Sequence, residues 1–295
     1  MSNKLGLVLE GGGMRAIYVA GVLDVFMENN LIFDGVVGIS AGAIHGSNFV
    51  AGQKGRTIRY YKKYCTDKRM IGIRNLILTG SIVNNKFFYH DLPDRLDPFD
   101  YETYQNSETD FYAGATNLET GKCEYIHIKD MKADIDALRA SSSLPYVSRI
   151  VEFKGMKLLD GAFSDSIPVN AFRQMGYNKN VVVLTQHDGY VKGPENAKKA
   201  RKKYKKYPNF VASIVHRHEV YNQTLADIRQ YQVEGDVFAL YPSVPLDLPL
   251  IGSTPEELQR VYEIGVKDTR ERMDALKAWM AEVRAEESVF KMKTC

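Results

Sequence analysis

Ser40 stands between Gly38 and Gly42 in the stretch GISAGA, residues 38–43, directly after Val36 and Val37. A G-x-S-x-G sequence at the end of an apolar strand reads as a nucleophile elbow. Its tight strand-to-helix turn exposes the hydroxyl, and the flanking glycines admit close backbone packing. The helix that follows brings its partially positive N-terminus beside the serine, where an oxyanion would form. The competing reading is a plain βα turn in which Ser40 only caps a helix. A serine hydroxyl is a weak nucleophile without a neighbouring base, so the base is the first question.

Two further clusters could serve that chemistry. In LEGGGMRA, residues 9–16, three glycines end an apolar run and open a helix, so several backbone N–H groups can converge on one point. One reading is an oxyanion site. The other is dinucleotide binding, since Gly11-x-Gly13-x-x-Ala16 fits the G-x-G-x-x-G/A fingerprint. That fingerprint wants an acidic residue ending the second strand. Asp34 instead precedes its strand, which ends in Ser40, so the oxyanion reading is preferred. Arg15 adds a charge beside the loop, or is a solvated arginine in the first helical turn. In LLDGAFSD, residues 158–165, Asp160 ends a strand and Gly161 permits a sharp turn. This geometry presents a carboxylate to a cleft, or makes a turn aspartate satisfied by backbone N–H groups. Asp165 is a second candidate.

His45 is the tempting partner for Ser40. On a helix each residue turns about 100° and rises about 1.5 Å, which puts His45 roughly 7 Å up and on another face. A base must come within about 3 Å. His45 is therefore expected at the helix surface or base, not as the partner. His90, His127, His187, His216 and His218 remain. An α/β-hydrolase triad runs Ser, acid, His, and only the last three follow Asp160. His187, just past a strand in TQHDGY, stays open as a base. Against that fold, the elbow comes on the second strand and the glycine loop precedes it.

The elements that must position these residues alternate. Apolar runs near 5–10, 35–40, 110–117, 180–186 and 236–242 read as buried strands. Helical patterns lie at 14–29, 41–51, 55–65, 131–139 and 168–175. The alternation predicts an α/β fold with a largely parallel sheet. VEFKGMKLLDGA reads as a hairpin turning at Lys154-Gly155, whose second strand delivers Asp160. A C-terminal helix starts at Thr254 with Pro255 in its first turn and Glu257 completing a capping box. The expected division is a catalytic core over 1–185, its sheet continuing to about 245, and a helical extension of the same domain over 246–295.

Composition narrows the classes. The 295 residues suffice for one large domain or two small ones, and 44% hydrophobic with 25% charged residues is ordinary for a soluble globular protein. A net charge of +3 does not point to nucleic acid. Cys65, Cys123 and Cys295 form no zinc or disulfide pattern, which favours a reducing compartment. No apolar run is long enough to span a membrane, and the N-terminus lacks a secretory apolar region. The expected location is the cytoplasm. No metal-ligand cluster is visible, so no cofactor and no metal are expected. Lys198–Lys206, the densest basic run, is interleaved or flanked by Tyr204, Tyr207 and Phe210. It reads as a peripheral contact with anionic lipid, each basic residue adding about 1 kcal/mol, or as a solvated helix; no nucleic-acid module accompanies it. The long apolar segment 66–109 reads as a lid or acyl-chain groove, or as helices packed on the core.

Three motifs in order, GGGMRAIYVAGVLDVF, GISAGA and DGA, resemble the patatin-like phospholipase family. The resemblance runs from about residue 4 to about 185; LYPSVPLDLP and the C-terminal helix are similar to bacterial members. It implies a three-layer α/β sandwich with a mainly parallel central sheet and a helical C-terminal extension. It also implies a Ser–Asp dyad without histidine, with Ser40 as nucleophile and Asp160 as base. Gly11, Gly12 and Gly13 would form the oxyanion loop, with Arg15 beside it. The segment ASSSLPYV, residues 140–147, resembles one that shapes the family's site. Ser166 departs from the asparagine expected after the DGA motif. The implied substrate is a phospholipid or other lipid ester. In such a mechanism the N–H of Ala41 joins the glycine loop around the oxyanion. An ordinary carboxylate, with a pKa near 4, is a poor base at neutral pH, so a partly desolvated Asp160 is expected. The alternatives are a non-catalytic lipid- or acyl-binding protein on the same fold, and a nucleotide-binding α/β enzyme that cofactor titration would reveal.

Overall fold

Strand β1 (Leu5–Leu9) buries all five of its residues, as does β2 (Gly35–Ile39). Continuous apolar strands of this kind need cover on both faces. The computed structural model describes residues 4–294, with side chains through 285; Cys295 lies outside them. The remaining strands are β3 (Asp110–Asn117), β4 (Cys123–His127), β5 (Val151–Phe153), β6 (Met156–Asp160), β7 (Lys179–Val183) and β8 (Val237–Leu240). Hydrogen bonding orders them β5-β6-β3-β2-β1-β7-β8, with β4 also paired to β3. The pairings among β3, β2, β1, β7 and β8 are parallel, and those of β4, β5 and β6 antiparallel.

One feature of this sheet builds the site. Tyr112, Ala113 and Gly114 pair with both β2 and β4, while Ala115 and Thr116 pair with both β4 and β6. A strand residue has only two edges, so β2 and β6 share the same edge of β3, end to end. β2 climbs to Ile39 opposite Gly114, and β6 descends to Asp160 opposite Ala115. The residue after Ile39 is Ser40. Two segments far apart in sequence thus meet at one point of one strand edge. The β5–β6 turn forms where expected: Lys154 and Gly155 have φ of 49° and 79°, the positive pair that a two-residue hairpin favours.

The α-helices are α1 (Ile17–Glu28), α2 (Ala41–Val50), α3 (Arg56–Tyr64), α4 (Ile73–Thr79), α5 (Tyr101–Gln105), α6 (Ile135–Ser141), α7 (Val169–Gln174), α8 (Ala197–Lys203), α9 (Pro208–Val233) and α10 (Pro255–Thr294), and Phe87–Leu96 forms a π-helix. Alternation along the strands sorts the core into two faces. Leu5, Leu7 and Leu9 pack with α1, α2 and α10, whereas Val8 and Val37 pack with α7 and α9. The result is the expected three-layer α/β sandwich with a C-terminal helix. Thr254 and Glu257 make the reciprocal bonds of a capping box at 3.2 and 2.8 Å. α10 then lies against α1, where Gly21 and Gly265 leave no room for a Cβ, and the Tyr262 hydroxyl donates to Asp24 at 2.7 Å.

Candidate active site

Ser40 has φ 55° and ψ −126°, a backbone state that costs a non-glycine residue roughly 1–3 kcal/mol. Three bonds hold it there. Its N–H donates to Ser141 Oγ at 2.9 Å, and its carbonyl accepts from Ala43 and Ile44 as α2 begins. The elbow tolerates no side chain on either flank. A Cβ on Gly38 would lie 2.6 Å from Ala43 Cα, and one on Gly42 2.6 Å from the Leu9 carbonyl oxygen.

The Ser40 hydroxyl donates to Asp160 Oδ2 at 2.7 Å. Asp160 Oδ1 accepts from the Ala162 N–H at 2.9 Å, and the Asp160 N–H donates to the Ser143 carbonyl. The segment 140–147 therefore holds the backbones of both residues, through Ser141 and Ser143. Asp160 is fully buried, and that burial pushes its pKa up to about 6, against lowering by the Ser40 and Ala162 bonds and by Arg217. Asp165 is occupied elsewhere, accepting from the Tyr125 hydroxyl at 2.5 Å. Ser166, the departure after the DGA motif, donates to the Ala162 carbonyl at 2.7 Å and fastens the turn after Asp160.

The glycine loop packs directly on the elbow. A Cβ on Gly11 would lie 3.0 Å from Ser40 Cβ, and Gly12 abuts Thr185 while Gly13, with φ +55°, abuts the Leu250 carbonyl. The N–H groups of Met14 and Arg15 are already used, by Leu250 and Gly12 carbonyls at 3.2 Å each. Behind the loop, buried Glu10 accepts from the Thr185 N–H at 2.5 Å and the Tyr221 hydroxyl at 2.8 Å. Asp34 stands at the other end of the sheet, accepting from the Leu5 N–H and paired with Arg284. It is in no position to complete a dinucleotide site.

Two cavities meet at Ser40. One is apolar, lined by Ala41, Ile44, Met70, Val83, Phe88 and Leu250 among others. The other is lined in part by charged side chains, Asp160, Arg15, Lys192 and Arg217, with the glycine loop. The segment 66–109 is both packed and site-forming: Met70 and Phe88 are buried and wall the apolar cavity, while Ile73, Ile77 and Leu78 of α4 are exposed.

His45 corrects one expectation. It is not at a helix surface but 2% exposed, its ring edge-on to Tyr61 at 5.9 Å. α2 is buried nearly throughout, so no face of it is free for a solvated histidine, and desolvation lowers the His45 pKa to about 3. His187 lies edge-on to Tyr190 at 6.1 Å; the partner of the Ser40 hydroxyl is Asp160. In the basic run, Lys198–Lys206, the charged side chains are exposed, but Tyr204 and Phe210 turn inward onto Leu118 and Leu159. Lys192 and Arg217 belong to no motif visible in the sequence; Glu10 and Ser141 lie inside the segments 9–16 and 140–147, where the sequence gives neither a role of its own.

The sequence model of the family described as "Patatin-like phospholipase" matches residues 7–173, and that described as "Domain of unknown function (DUF6363)" matches 207–281. "Uncharacterized protein YjjU" of Escherichia coli (strain K12) is 28% identical over 89% of the chain and 75% of its own length. "Putative patatin-like phospholipase domain-containing protein M110.7" of Caenorhabditis elegans is 28% identical over 61% of the chain, and "Lysophospholipase NTE1" of Lodderomyces elongisporus 26% over 60%. The matches take up only 17% and 12% of those two longer proteins. Among solved structures, VipD from Legionella pneumophila overlays with a TM-score of 0.47 at 12% identity, covering 92% of this chain and 67% of that one. Among the described residues no helix is long and apolar enough to cross a membrane, and no group of three or more His, Cys, Asp or Glu side chains is placed to hold a metal.

Proposed function

Because the chain belongs to the patatin-like phospholipase family, which supports a lipid-hydrolase function, we propose that it is a serine lipid acyl hydrolase with a Ser40–Asp160 dyad. The observation that carries this reading is the 2.7 Å bond from an elbow serine to a buried carboxylate. Ser40 Oγ attacks the ester carbonyl as its proton passes to Asp160. The developing oxyanion is held by backbone N–H groups of Gly11, Gly12, Gly13 and Ala41; those of Met14 and Arg15 are spent on the loop itself. The C–O bond to the alcohol breaks as Asp160 returns the proton to the leaving oxygen. Water then attacks the acyl-enzyme, giving its proton to Asp160, and the carboxylic acid leaves as Ser40 is reprotonated. No cofactor enters these steps.

The apolar cavity takes the acyl chain in this reading. Its volume of about 70 Å³ falls short of the roughly 300–1,000 Å³ of ligand-holding pockets. The walls supplied by residues 66–109 must therefore part on binding, which gives that segment the part of a lid.

A fluorophosphonate probe that labels activated serines tests the nucleophile. The parent and His187→Ala should label alike, and Ser40→Ala not at all. Label surviving Ser40→Ala would sink the assignment, and label lost in a folded His187→Ala would replace the dyad with a triad.

The exposed basic run makes peripheral contact with anionic membrane in the same proposal. With its aromatics turned inward, the attraction is electrostatic, about 1 kcal/mol per residue and screened by salt. Replacing Lys202, Lys203, Lys205 and Lys206 by Glu should abolish cosedimentation with phosphatidylglycerol vesicles at low salt. Unchanged sedimentation would refute the contact.

A further inference from the structure

The cavity beside the dyad that holds Asp160 carries more positive charge than proton transfer requires. Arg15 reaches it from the turn after the glycine loop, Lys192 from the connection after β7, and Arg217 from α9. Lys192 and Arg217 lie beyond the residues that match the patatin-like family, and Arg217 falls in the second matched segment, 207–281. The Nε atoms of Arg15 and Arg217 are buried and, among the described residues, have no hydrogen-bond partner. Charged donors left unsatisfied in this way are costly, and both side chains line one cavity together with Lys192, so the cavity gathers three cations that an anion would stabilise.

The negative groups nearby do not fill that place. Glu195 accepts from Arg217 Nη1 at 3.0 Å, leaving Nε free. Glu10 is held by Thr185 and Tyr221, and its burial raises its pKa, which weakens its charge. Asp160 accepts from Ser40 and Ala162. Lys192 sits 5.2 Å over the Tyr221 ring, and its pKa falls to about 8 through burial, with Arg217 and Arg15 repelling it and Glu195 and Glu10 opposing. An anion entering the cavity would relieve that repulsion.

Position selects the kind of anion. The cavity holds about 60 Å³, on the order of two waters, enough for one small anionic group. It adjoins the apolar cavity at Ser40, with Ser40, Gly13, Leu144 and Leu250 lining both. A substrate whose ester sits at Ser40 thus presents its acyl chain to one side and its alcohol portion to the other. Two guanidinium forks and an ammonium suit the oxygens of a phosphate.

We infer that Arg15, Lys192 and Arg217 form a subsite for the phosphate on the alcohol side of the ester, in which Lys192 and Arg217, from outside the family match, select a phosphate-bearing substrate over a neutral glyceride. The inference rests on the hydrolase reading above for the placement of the ester. It gives the segment beyond the family match a task, which is to choose the headgroup side of the substrate.

Ser40→Ala protein, which cannot turn over, provides the test by titration calorimetry with ether-linked ligands of one chain length. A 1-alkyl-glycerophosphocholine should bind about ten- to a hundredfold more tightly than the matching 1-alkylglycerol. The preference should shrink to below about threefold when Lys192→Ala or Arg217→Ala is added, and return with Lys192→Arg or Arg217→Lys. Glu195→Gln, which releases Arg217, should keep or raise it. Equal affinity for the two ligands, or a preference that survives both alanine variants in folded protein, would overturn the subsite. So would a fatty acid of the same length binding as tightly as the phospholipid analogue, since the cations would then read a carboxylate. Turnover of lysophosphatidylcholine and monoacylglycerol by the parent separates the two ideas. No turnover with the binding preference intact removes the hydrolase and leaves the subsite; turnover without preference does the reverse.

Discussion

Asp160→Asn is expected to hydrolyse lipid esters about a thousandfold more slowly than the parent and yet to unfold at a higher temperature. The loss follows from removing the proton acceptor, since a positioned general base contributes roughly 10²–10⁴-fold. The gain follows from burial. Asp160 is fully buried, and its pKa rises from 3.8 to about 6 in the folded chain. Between those values the folded protein keeps a proton that the unfolded chain has released. The stabilising proton is fully bound below pH 3.8 and is lost as the pH climbs through about 6, so the carboxylate weakens the fold at neutral pH by on the order of 2–3 kcal/mol. Asparagine has the same shape, can still accept from Ala162, and carries no charge. Its advantage in melting temperature should therefore be larger at pH 7.5 than at pH 4.5. The parent's kcat/KM should rise through about pH 6 and level off, because only the ionised form can accept the Ser40 proton. An Asp160→Asn protein retaining more than about a tenth of the activity would remove Asp160 as the base.

Those two residues were legible because each closes a strand. An apolar run followed by G-x-S-x-G, and a hairpin ending in Asp-Gly, are local patterns that backbone sterics translate into local structure. Their meeting is not local. It depends on β2 and β6 sharing one edge of β3 while β4 takes the other, and β4 was not expected from the sequence. The chain showed helix α9 only weakly. Its inward residues Phe210, Ile214, Tyr221, Leu225 and Ile228 keep helical spacing, but polar and charged residues separate them and a basic run precedes them. Arg217 sits on that helix among polar neighbours and looks like any solvated arginine until the fold turns it toward Asp160. His45 shows the opposite failure: intrahelical geometry excluded it as a partner, yet could not tell that both faces of α2 are covered. Tyr204 and Phe210 likewise only interleave or flank the basic run in the sequence, yet they are core residues. In each case, the missing information was which surface the rest of the chain would cover.

Gly42→Ala tests how tightly the elbow is held. It adds one methyl group at the first turn of α2, 2.6 Å from the Leu9 carbonyl oxygen and 2.7 Å from that of Glu10. Neither oxygen can retreat easily. β1 is hydrogen-bonded along both edges, to β2 and to β7, and the Glu10 N–H is tied to Val183. The start of α2 must move instead, and Ser40 is the residue immediately before it. Overpacking of this kind costs roughly 1–3 kcal/mol, a measurable fall in melting temperature. The larger effect should be catalytic, because a shift of about 1 Å at a reacting atom can cost on the order of a hundredfold. Gly193→Ala is the control: a Cβ there meets nothing within 4 Å, so stability should stay within about 0.5 kcal/mol and labelling by the serine probe should not change. If Gly42→Ala melts lower but labels at the parent's rate, the elbow can shift without disturbing Ser40. If both fall together, the contact between α2 and the end of β1 is what aims the hydroxyl at Asp160.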